Sequence, residues 1–97
     1  MYAAVRRYEG IQDDAEAGRL VGESFVPLLE GVPGFIAYYW IDAGDGVMAS
    51  LSVFDDQAGA DESVRLAHQW IDDNAPGLFP NPARVTEGEV VASAVKK

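Results

Sequence analysis

The sequence predicts an α+β fold of the ferredoxin-like type, with four antiparallel strands covered on one face by two helices. The predicted elements follow in the order strand, helix, strand, strand, helix, strand. A glycine-rich turn, AGDG, joins the two central strands as a hairpin. Two right-handed crossovers around such a hairpin place both helices on the same face of the sheet.

The first half of the chain predicts a strand, a helix and a second strand. Residues 2–8 contain β-branched and aromatic residues without a helical period, and the Glu-Gly pair that follows ends the strand. A helix then runs from an aspartate cap to about residue 31, with a kink or restart at Pro27, which lacks a backbone donor. The stretch GFIAYYWID, residues 34–42, forms a strand with bulky apolar side chains on both faces.

The second half predicts two more strands separated by a helix. VMASLSVF, residues 47–54, is the other arm of the hairpin. An aspartate at 55 or 56 caps a helix with a wide apolar face that ends near Asn74. Residues 75–83 contain three prolines and form a loop, after which residues 85–95 give the last strand.

The register of the hairpin decides which side chains face the helices. With an even-numbered loop, Asp42 pairs with Val47, and Tyr38 and Trp40 share the helix-covered face with the aliphatic residues of the third strand. The other face then carries an uncovered apolar stripe of Phe35, Tyr39, Ile41, Met48 and Phe54. Such a stripe favours a homodimer in which two sheets pack against each other.

The composition indicates one acidic globular domain over residues 1–97. Its net charge of −9 opposes binding to nucleic acid and to anionic membranes. The chain has no cysteine and no run near the ~18 apolar residues of a membrane-spanning helix. We therefore expect a cytoplasmic protein without metal or cofactor, whose partners are a second copy of itself and a small ligand.

Several stretches together resemble antibiotic biosynthesis monooxygenase-like proteins: PGFIAYYWIDAGDGVMASLSVFDD, HQWIDDN and TEGEVVAS. The resemblance spans nearly the whole chain and implies a dimeric α/β barrel with a pocket between each sheet and its helices. It further implies a cofactor-free monooxygenase acting on a small aromatic or quinol-type substrate. The alternative is a non-catalytic homodimer of the same fold that binds a small ligand or serves a structural role. The first strand lacks the asparagine found there in the heme-degrading relatives, so heme oxygenation is not expected.

His68, the only histidine, is the best candidate for a general acid or base. It lies one helical turn before Asp72, whose carboxylate could orient the imidazole. The alternative is a histidine at the rim of the contact between helix and sheet, because intermediate burial is ordinary for this residue type.

An aromatic pocket is the second candidate feature. Trp70 and Asn74 lie on one face of the second helix, and Tyr38 and Trp40 project from the covered face of the sheet. Together they could orient a planar substrate through indole, phenol and amide groups. Packing within the core is the competing interpretation of these aromatic residues.

Arg6 and Arg7 point to opposite faces of the first strand, so one of them faces the covered side of the sheet. Arg6 is the candidate for neutralising an anionic substrate such as a phenolate or enolate. The alternative is an arginine that pairs with a carboxylate at the dimer surface or lies along the sheet edge.

Overall fold

A computed structural model describes residues 1–96 and shows one antiparallel sheet with helices on one face. The strands are β1 (Tyr2–Tyr8), β2 (Phe35–Gly44), β3 (Val47–Phe54) and β4 (Arg84–Glu89), in the spatial order β2-β3-β1-β4. The helices are α1 (Asp14–Leu20), α2 (Val26–Glu30) and α3 (Gln57–Asn74). The predicted ferredoxin-like arrangement is confirmed. In residues 1–96 no helix is both long and apolar enough to cross a membrane.

The first predicted helix is one helical segment with an irregular centre. The Asp13 carboxylate accepts a hydrogen bond from the backbone N–H of Glu16 and caps α1. A π-helical stretch, Val21–Phe25, separates α1 from α2 and buries Phe25 against the sheet. Pro27 falls in the first turn of α2, directly after the π-helical stretch, at a position where proline is common in helices. The predicted restart near Pro27 is confirmed.

Helix α3 begins in close contact with the end of β3. Asp56 caps it by accepting a hydrogen bond from the N–H of Gly59. A Cβ atom at Gly59 would lie 2.8 Å from Cδ1 of Phe54, so only glycine allows this approach. The contact fixes the start of α3 over the sheet.

The predicted hairpin register is wrong by one residue. Asp45 and Gly46, with φ of 55° and 78°, form the two-residue turn. Gly44 pairs with Val47, but Asp42 pairs with Met48, because Ala43 is an extra residue in a β-bulge. A slip of one residue exchanges the two faces of β3.

The prediction of an uncovered stripe is therefore wrong for three of its five residues. Met48 and Phe54 are 2% and 0% exposed and lie under the helices. A second bulge at Ile36 turns Phe35 the same way, with its ring centroid 5.9 Å from that of Phe54. Tyr39 and Ile41 do lie on the uncovered side, here called the open face, beside the outward residues of β3 and β1: Ala49, Leu51, Val53, Val5 and Arg7.

The last strand is shorter than predicted. It was expected over residues 85–95 but occupies Arg84–Glu89. Strand β4 pairs only with β1, and Glu89 lies opposite Tyr2, the first residue of that strand. Further residues have no strand left to pair with, so the ladder ends after one more hydrogen bond, from Val90 N–H to the carbonyl of Met1.

Candidate functional site

A cleft of about 380 Å³ opens between α3, the proline-rich loop and the β1–β4 side of the sheet. Its walls include His68 and Asp72 of α3, Phe79 of the loop, Val85 of β4 and Arg6 of β1. This volume falls within the range of small-molecule sites. We refer to this feature as the cleft.

Behind the cleft lies an inner cavity of about 10 Å³, which is roughly the space of one water molecule. Arg6, Tyr8 and Phe79 line both spaces, so the two spaces adjoin. The inner cavity is lined mainly by aromatic residues from the sheet, the helices and the loop, here called the aromatic enclosure: Tyr8, Phe25, Tyr38, Trp40, Trp70 and Phe79.

Phe79 is the centre of this aromatic enclosure. Its ring centroid lies 5.2 Å from that of Tyr8, 6.0 Å from Trp40 and 6.3 Å from Trp70, all distances of favourable aromatic contact. Phe79 belongs to the loop at residues 75–83, and Asn81 of that loop donates a hydrogen bond to the carbonyl of Glu9. The loop is thus tied to the end of β1 with Phe79 inserted between cleft and inner cavity.

Arg6 is the charged residue at the floor of this site. Its strand neighbours Ala4 and Tyr8 are also buried, while Val5 and Arg7 face outward, as strand alternation requires. Arg6 is 2% exposed, and its Cζ atom lies 5.7 Å from the ring centroid of Phe25. Of the two arginines of β1, Arg6 is therefore the one that faces the covered side of the sheet.

Arg6 lacks the counter-charge that a buried arginine normally has. In residues 1–96 it takes part in no ion pair, and its Nε and Nη1 atoms are buried without hydrogen-bond partners. The alternatives of a carboxylate partner or an exposed position at the sheet edge are therefore wrong for Arg6. Arg7 fits them, because its Nε lies 3.4 Å from the carboxylate of Glu9 at the surface.

Further unpartnered polar atoms lie on the same covered face. Ser50 of β3 pairs with Arg6 on one side and Trp40 on the other, so the three side chains form a row across the sheet. The indole Nε1 of Trp40 and the hydroxyl oxygens of Ser50 and Ser52 are buried without partners. An indole N–H can only donate, so the row presents donors to the interior.

Tyr38 adds a neutral phenol to this surface. Burial raises the pKa of the Tyr38 phenol to about 12, against the opposing attraction of the Arg6 charge. The group therefore stays protonated near neutral pH. It can exchange hydrogen bonds with a ligand, but it supplies neither a negative charge nor a base.

The predicted site residues do not all meet at one place. Arg6, Tyr38, Trp40 and Trp70 line the inner cavity, as the aromatic pocket required. The N–H of Trp70 already donates to Ser24 Oγ at 2.8 Å, so this residue offers a ring surface only. Asn74 is exposed and donates to the carbonyl of Trp70, which places it at the end of α3 away from both cavities.

His68 lies at the mouth of the cleft. Its side chain is 84% exposed, and its Nε2 atom lies 3.5 Å from a carboxylate oxygen of Asp72, the partner expected from their spacing. Solvent and ligand can both reach the imidazole there. Its role as an acid or base stays a prediction.

Three residues that lie at the site were not predicted as site residues from the sequence: Phe79, Tyr8 and Ser50. Phe79 falls in a segment whose prolines predict only a loop, and nothing in the pattern shows where its ring inserts. Tyr8 could have been found, because it lies two residues after Arg6 in β1 and therefore on the same face of the sheet. Ser50 was placed on the open face by the wrong hairpin register.

Comparison of the sequence with protein-family models and with curated proteins gives no match. Solved structures share the fold. The NE2512 protein of unknown function from Nitrosomonas europaea matches with a TM-score of 0.77 and 21% identity over 99% of this chain and 94% of that one. A monooxygenase from the ActVA-Orf6 gene of Streptomyces coelicolor, in complex with nanaomycin D, matches with a TM-score of 0.74 and 13% identity over 99% and 92%.

A third structure, of an MhuD variant with two manganese protoporphyrin IX molecules bound per active site, matches with a TM-score of 0.75. It is 14% identical to this chain over 99% of this chain and 100% of that one. These similarities confirm that the chain has the fold of the antibiotic biosynthesis monooxygenase-like proteins. At such identities they show the fold alone.

Proposed function

We propose that this protein binds a small planar aromatic or quinol-type molecule in the cleft, with one edge of the ligand reaching toward Arg6. The observation that carries the proposal is the buried, unpartnered guanidinium at the floor of an aromatic enclosure. Aromatic walls favour flat ligands, and a few convergent polar groups fix their orientation.

We further propose that the bound molecule is oxidised by O2 without a cofactor. When a phenol becomes a quinone in this way, one atom of O2 enters the ring and the other leaves as water. The substrate supplies all the electrons, so the protein has only to orient and ionise it. His68, at the mouth of the cleft, is the residue proposed to accept the proton, and Tyr38 and Trp40 orient the ring.

One observation favours a second candidate, a non-catalytic ligand-binding protein. His68 is exposed to solvent, and Tyr38 is protonated near neutral pH. The residues described around the inner cavity include no carboxylate or imidazole that could act as a base there. A site that binds an already ionised ligand needs no such base.

The structural neighbours support ligand binding by this fold. One was solved with nanaomycin D and another with manganese protoporphyrin IX. Both ligands contain fused or conjugated rings. For this chain they provide a reason to test flat ligands and do not identify the ligand.

We also propose a homodimer formed through the open face. The support is an uncovered apolar surface, since Tyr39 and Ile41 are 59% and 50% exposed and adjoin partly exposed aliphatic residues of β3. Large aromatic and aliphatic side chains grouped on one sheet face are typical of interfaces. This surface replaces the stripe predicted from the sequence.

Two tryptophan substitutions test the binding proposal. Val85 lines the cleft and is exposed, so Val85→Trp should block the cleft without disturbing the core. Val91→Trp, at a 93% exposed position that does not line the cleft, is the control. Quinols, polyphenols, flavins and heme would be screened by thermal shift. A ligand at 100 times its dissociation constant should add about 2.7 kcal/mol of stability to wild type and Val91→Trp, but much less to Val85→Trp.

Oxygen uptake then separates the two candidates. A ligand found in the screen would be added to the protein in an oxygen electrode, with His68→Ala as the comparison. Protein-dependent uptake of O2 that falls in His68→Ala supports the monooxygenase. Binding without uptake supports the non-catalytic protein, and the absence of any ligand that distinguishes Val85→Trp from Val91→Trp contradicts both.

A further inference from the structure

The charge on Arg6 limits what the site can hold. In residues 1–96 every ion pair lies at the surface and none includes this residue, although burial of an unpaired charge is strongly unfavourable. Contact with the Phe25 ring offsets part of that cost, because an aromatic face attracts a cation. It leaves the Nε and Nη1 donors without acceptors.

A water molecule would satisfy only part of this need. The inner cavity has about the volume of one water, which could accept a hydrogen bond from the guanidinium. Water carries no net charge, however, so the electrostatic cost would remain. An anionic oxygen would satisfy the donors and neutralise the charge together, and charge-assisted hydrogen bonds are the stronger kind.

The neighbouring groups fit an anion and not a cation. The inner cavity is lined by aromatic, aliphatic and small residues together with Arg6, and by no carboxylate. The buried Nε1 of Trp40 is a further donor without an acceptor. The phenol of Tyr38 stays neutral near pH 7, so it does not compete for the guanidinium as an internal anion.

The rest of the molecule limits the number of charges on the ligand. The net charge of −9 repels anions at long range, and Asp72 lies at the wall of the cleft. A single buried guanidinium compensates one negative charge. Asp72 and the net charge of the protein would repel a second charge on the ligand.

From these contacts we infer that the ligand of this site is a planar monoanion whose charged oxygen, a phenolate or an aryl carboxylate, binds Arg6. The inference rests on the proposed function, because the ring must occupy the cleft for the oxygen to reach the guanidinium. Arg6 supplies the counter-charge, and the aromatic enclosure supplies the surface for the ring.

The test compares three molecules with one ring and different oxygen groups. 4-Nitrobenzoate carries a carboxylate, 4-nitrophenol ionises to a phenolate, and 4-nitroanisole stays neutral at every pH. Equilibrium dialysis would measure their affinities for wild type, Arg6→Gln and Arg7→Gln. Arg7→Gln is the matched control, since it removes the same charge one residue away on the opposite face of β1.

We expect wild type and Arg7→Gln to bind at least one ionised probe roughly tenfold or more tightly than 4-nitroanisole. Arg6→Gln should lose that preference and keep the affinity for 4-nitroanisole. The tighter of the two anions at a pH where both are ionised identifies the source of the oxygen as phenolate or carboxylate.

Other outcomes contradict the inference in distinguishable ways. Equal binding of neutral and ionised probes to wild type, or an equal loss in Arg6→Gln and Arg7→Gln, would overturn the anion site and leave the proposed aromatic site in place. Failure of all three probes to bind would overturn both.

A second arm keeps the test decisive if Arg6→Gln does not fold. In wild type, the affinity for 4-nitrophenol should rise as the pH passes through the pKa of the probe itself, while the affinity for 4-nitroanisole stays constant. A flat profile for 4-nitrophenol, together with 4-nitrobenzoate bound no more tightly than 4-nitroanisole, would overturn the inference. Arg6→Lys, which keeps the charge but not the planar fork of donors, should retain part of the preference for anions.

Discussion

Arg6 and Arg7 are adjacent in the sequence, yet the sheet places them in opposite environments. Arg6 lies on the covered face, 2% exposed and without a counter-charge, whereas Arg7 lies on the open face and contacts Glu9 at the surface. A similar contrast separates two aromatic residues, because Phe54 of β3 is fully buried and Tyr39 of β2 is 59% exposed. This difference is the basis of the two proposals, ligand binding on the covered face and assembly through the open face.

The strongest test of this division is a charge on the open face. Tyr39→Asp should abolish the proposed dimer, since a carboxylate buried between two apolar sheets without a partner costs about 3–5 kcal/mol. Light scattering coupled to size exclusion would measure the molar mass. Gln69→Asp, which adds the same residue at an exposed site on α3, is the control. An unchanged dimer in Tyr39→Asp would contradict the role of the open face.

A pair of truncations separates folding from assembly. Phe54→Ala should lower the unfolding free energy by about 3–5 kcal/mol, because it leaves a cavity in the core. Ile41→Ala should instead weaken the dimer. In chemical denaturation the effect of Ile41→Ala should therefore depend on protein concentration, and that of Phe54→Ala should not. The reverse pattern would mean that the two faces have been exchanged.

Two glycines provide a smaller and more local test. Gly59→Ala should cost about 1–3 kcal/mol, because the new Cβ would lie 2.8 Å from Cδ1 of Phe54. Gly22→Ala is the matched control, since beyond the adjacent backbone of its own helix no atom lies within 4 Å of the Cβ it would add. That variant should be neutral or slightly stabilised, as alanine favours helix. Thermal or urea unfolding of both variants measures the difference, and equal losses would contradict the close approach of α3 to β3.

The smallest expected effect is a pH dependence due to Tyr38. Its pKa in the folded protein is raised to about 12, above the ~10 of an unfolded chain, so the folded state binds the proton more tightly. The resulting stability is fully present below pH 10 and is lost as the pH rises toward 12. By pH 11 the loss should be about 1 kcal/mol. Tyr38→Phe should show a shallower fall in unfolding free energy between pH 9 and 11, and identical slopes would contradict the burial of the phenol.

The sequence predicted the elements and their arrangement better than the faces of the sheet. Periodicity and caps located α3 and β3 because those signals are local. The faces of β3 depend on whether Ala43 adds one residue to the ladder, and the turn residues Asp45 and Gly46 do not reveal that bulge. A single extra residue was enough to exchange Met48 and Phe54 with their neighbours.

The site could be predicted only where it follows from the alternation of side chains between the two faces of a strand. Alternation shows that Arg6 and Arg7 face opposite sides, but choosing between them needs the position of the helices. Tyr38 and Trp40 do face the helices, but the aliphatic residues of β3 predicted to share that face, such as Leu51 and Val53, lie on the open face. The insertion of Phe79 depends on the path of a proline-rich loop and on contacts far away in sequence, such as that of Asn81 with Glu9.

The proposed site requires that Arg6 is buried and contacts an anionic ligand directly. Proton exchange at the arginine Nε–H groups tests it in one ¹⁵N-arginine-labelled sample, with the signals of Arg6 and Arg7 assigned from Arg6→Gln and Arg7→Gln. We expect the Arg6 Nε–H to exchange slowly with water and to shift when 4-nitrobenzoate or 4-nitrophenolate is added, and that of Arg7 to exchange rapidly and not to shift. An Arg6 signal that exchanges as rapidly as that of Arg7, or that neither anion moves, would contradict it.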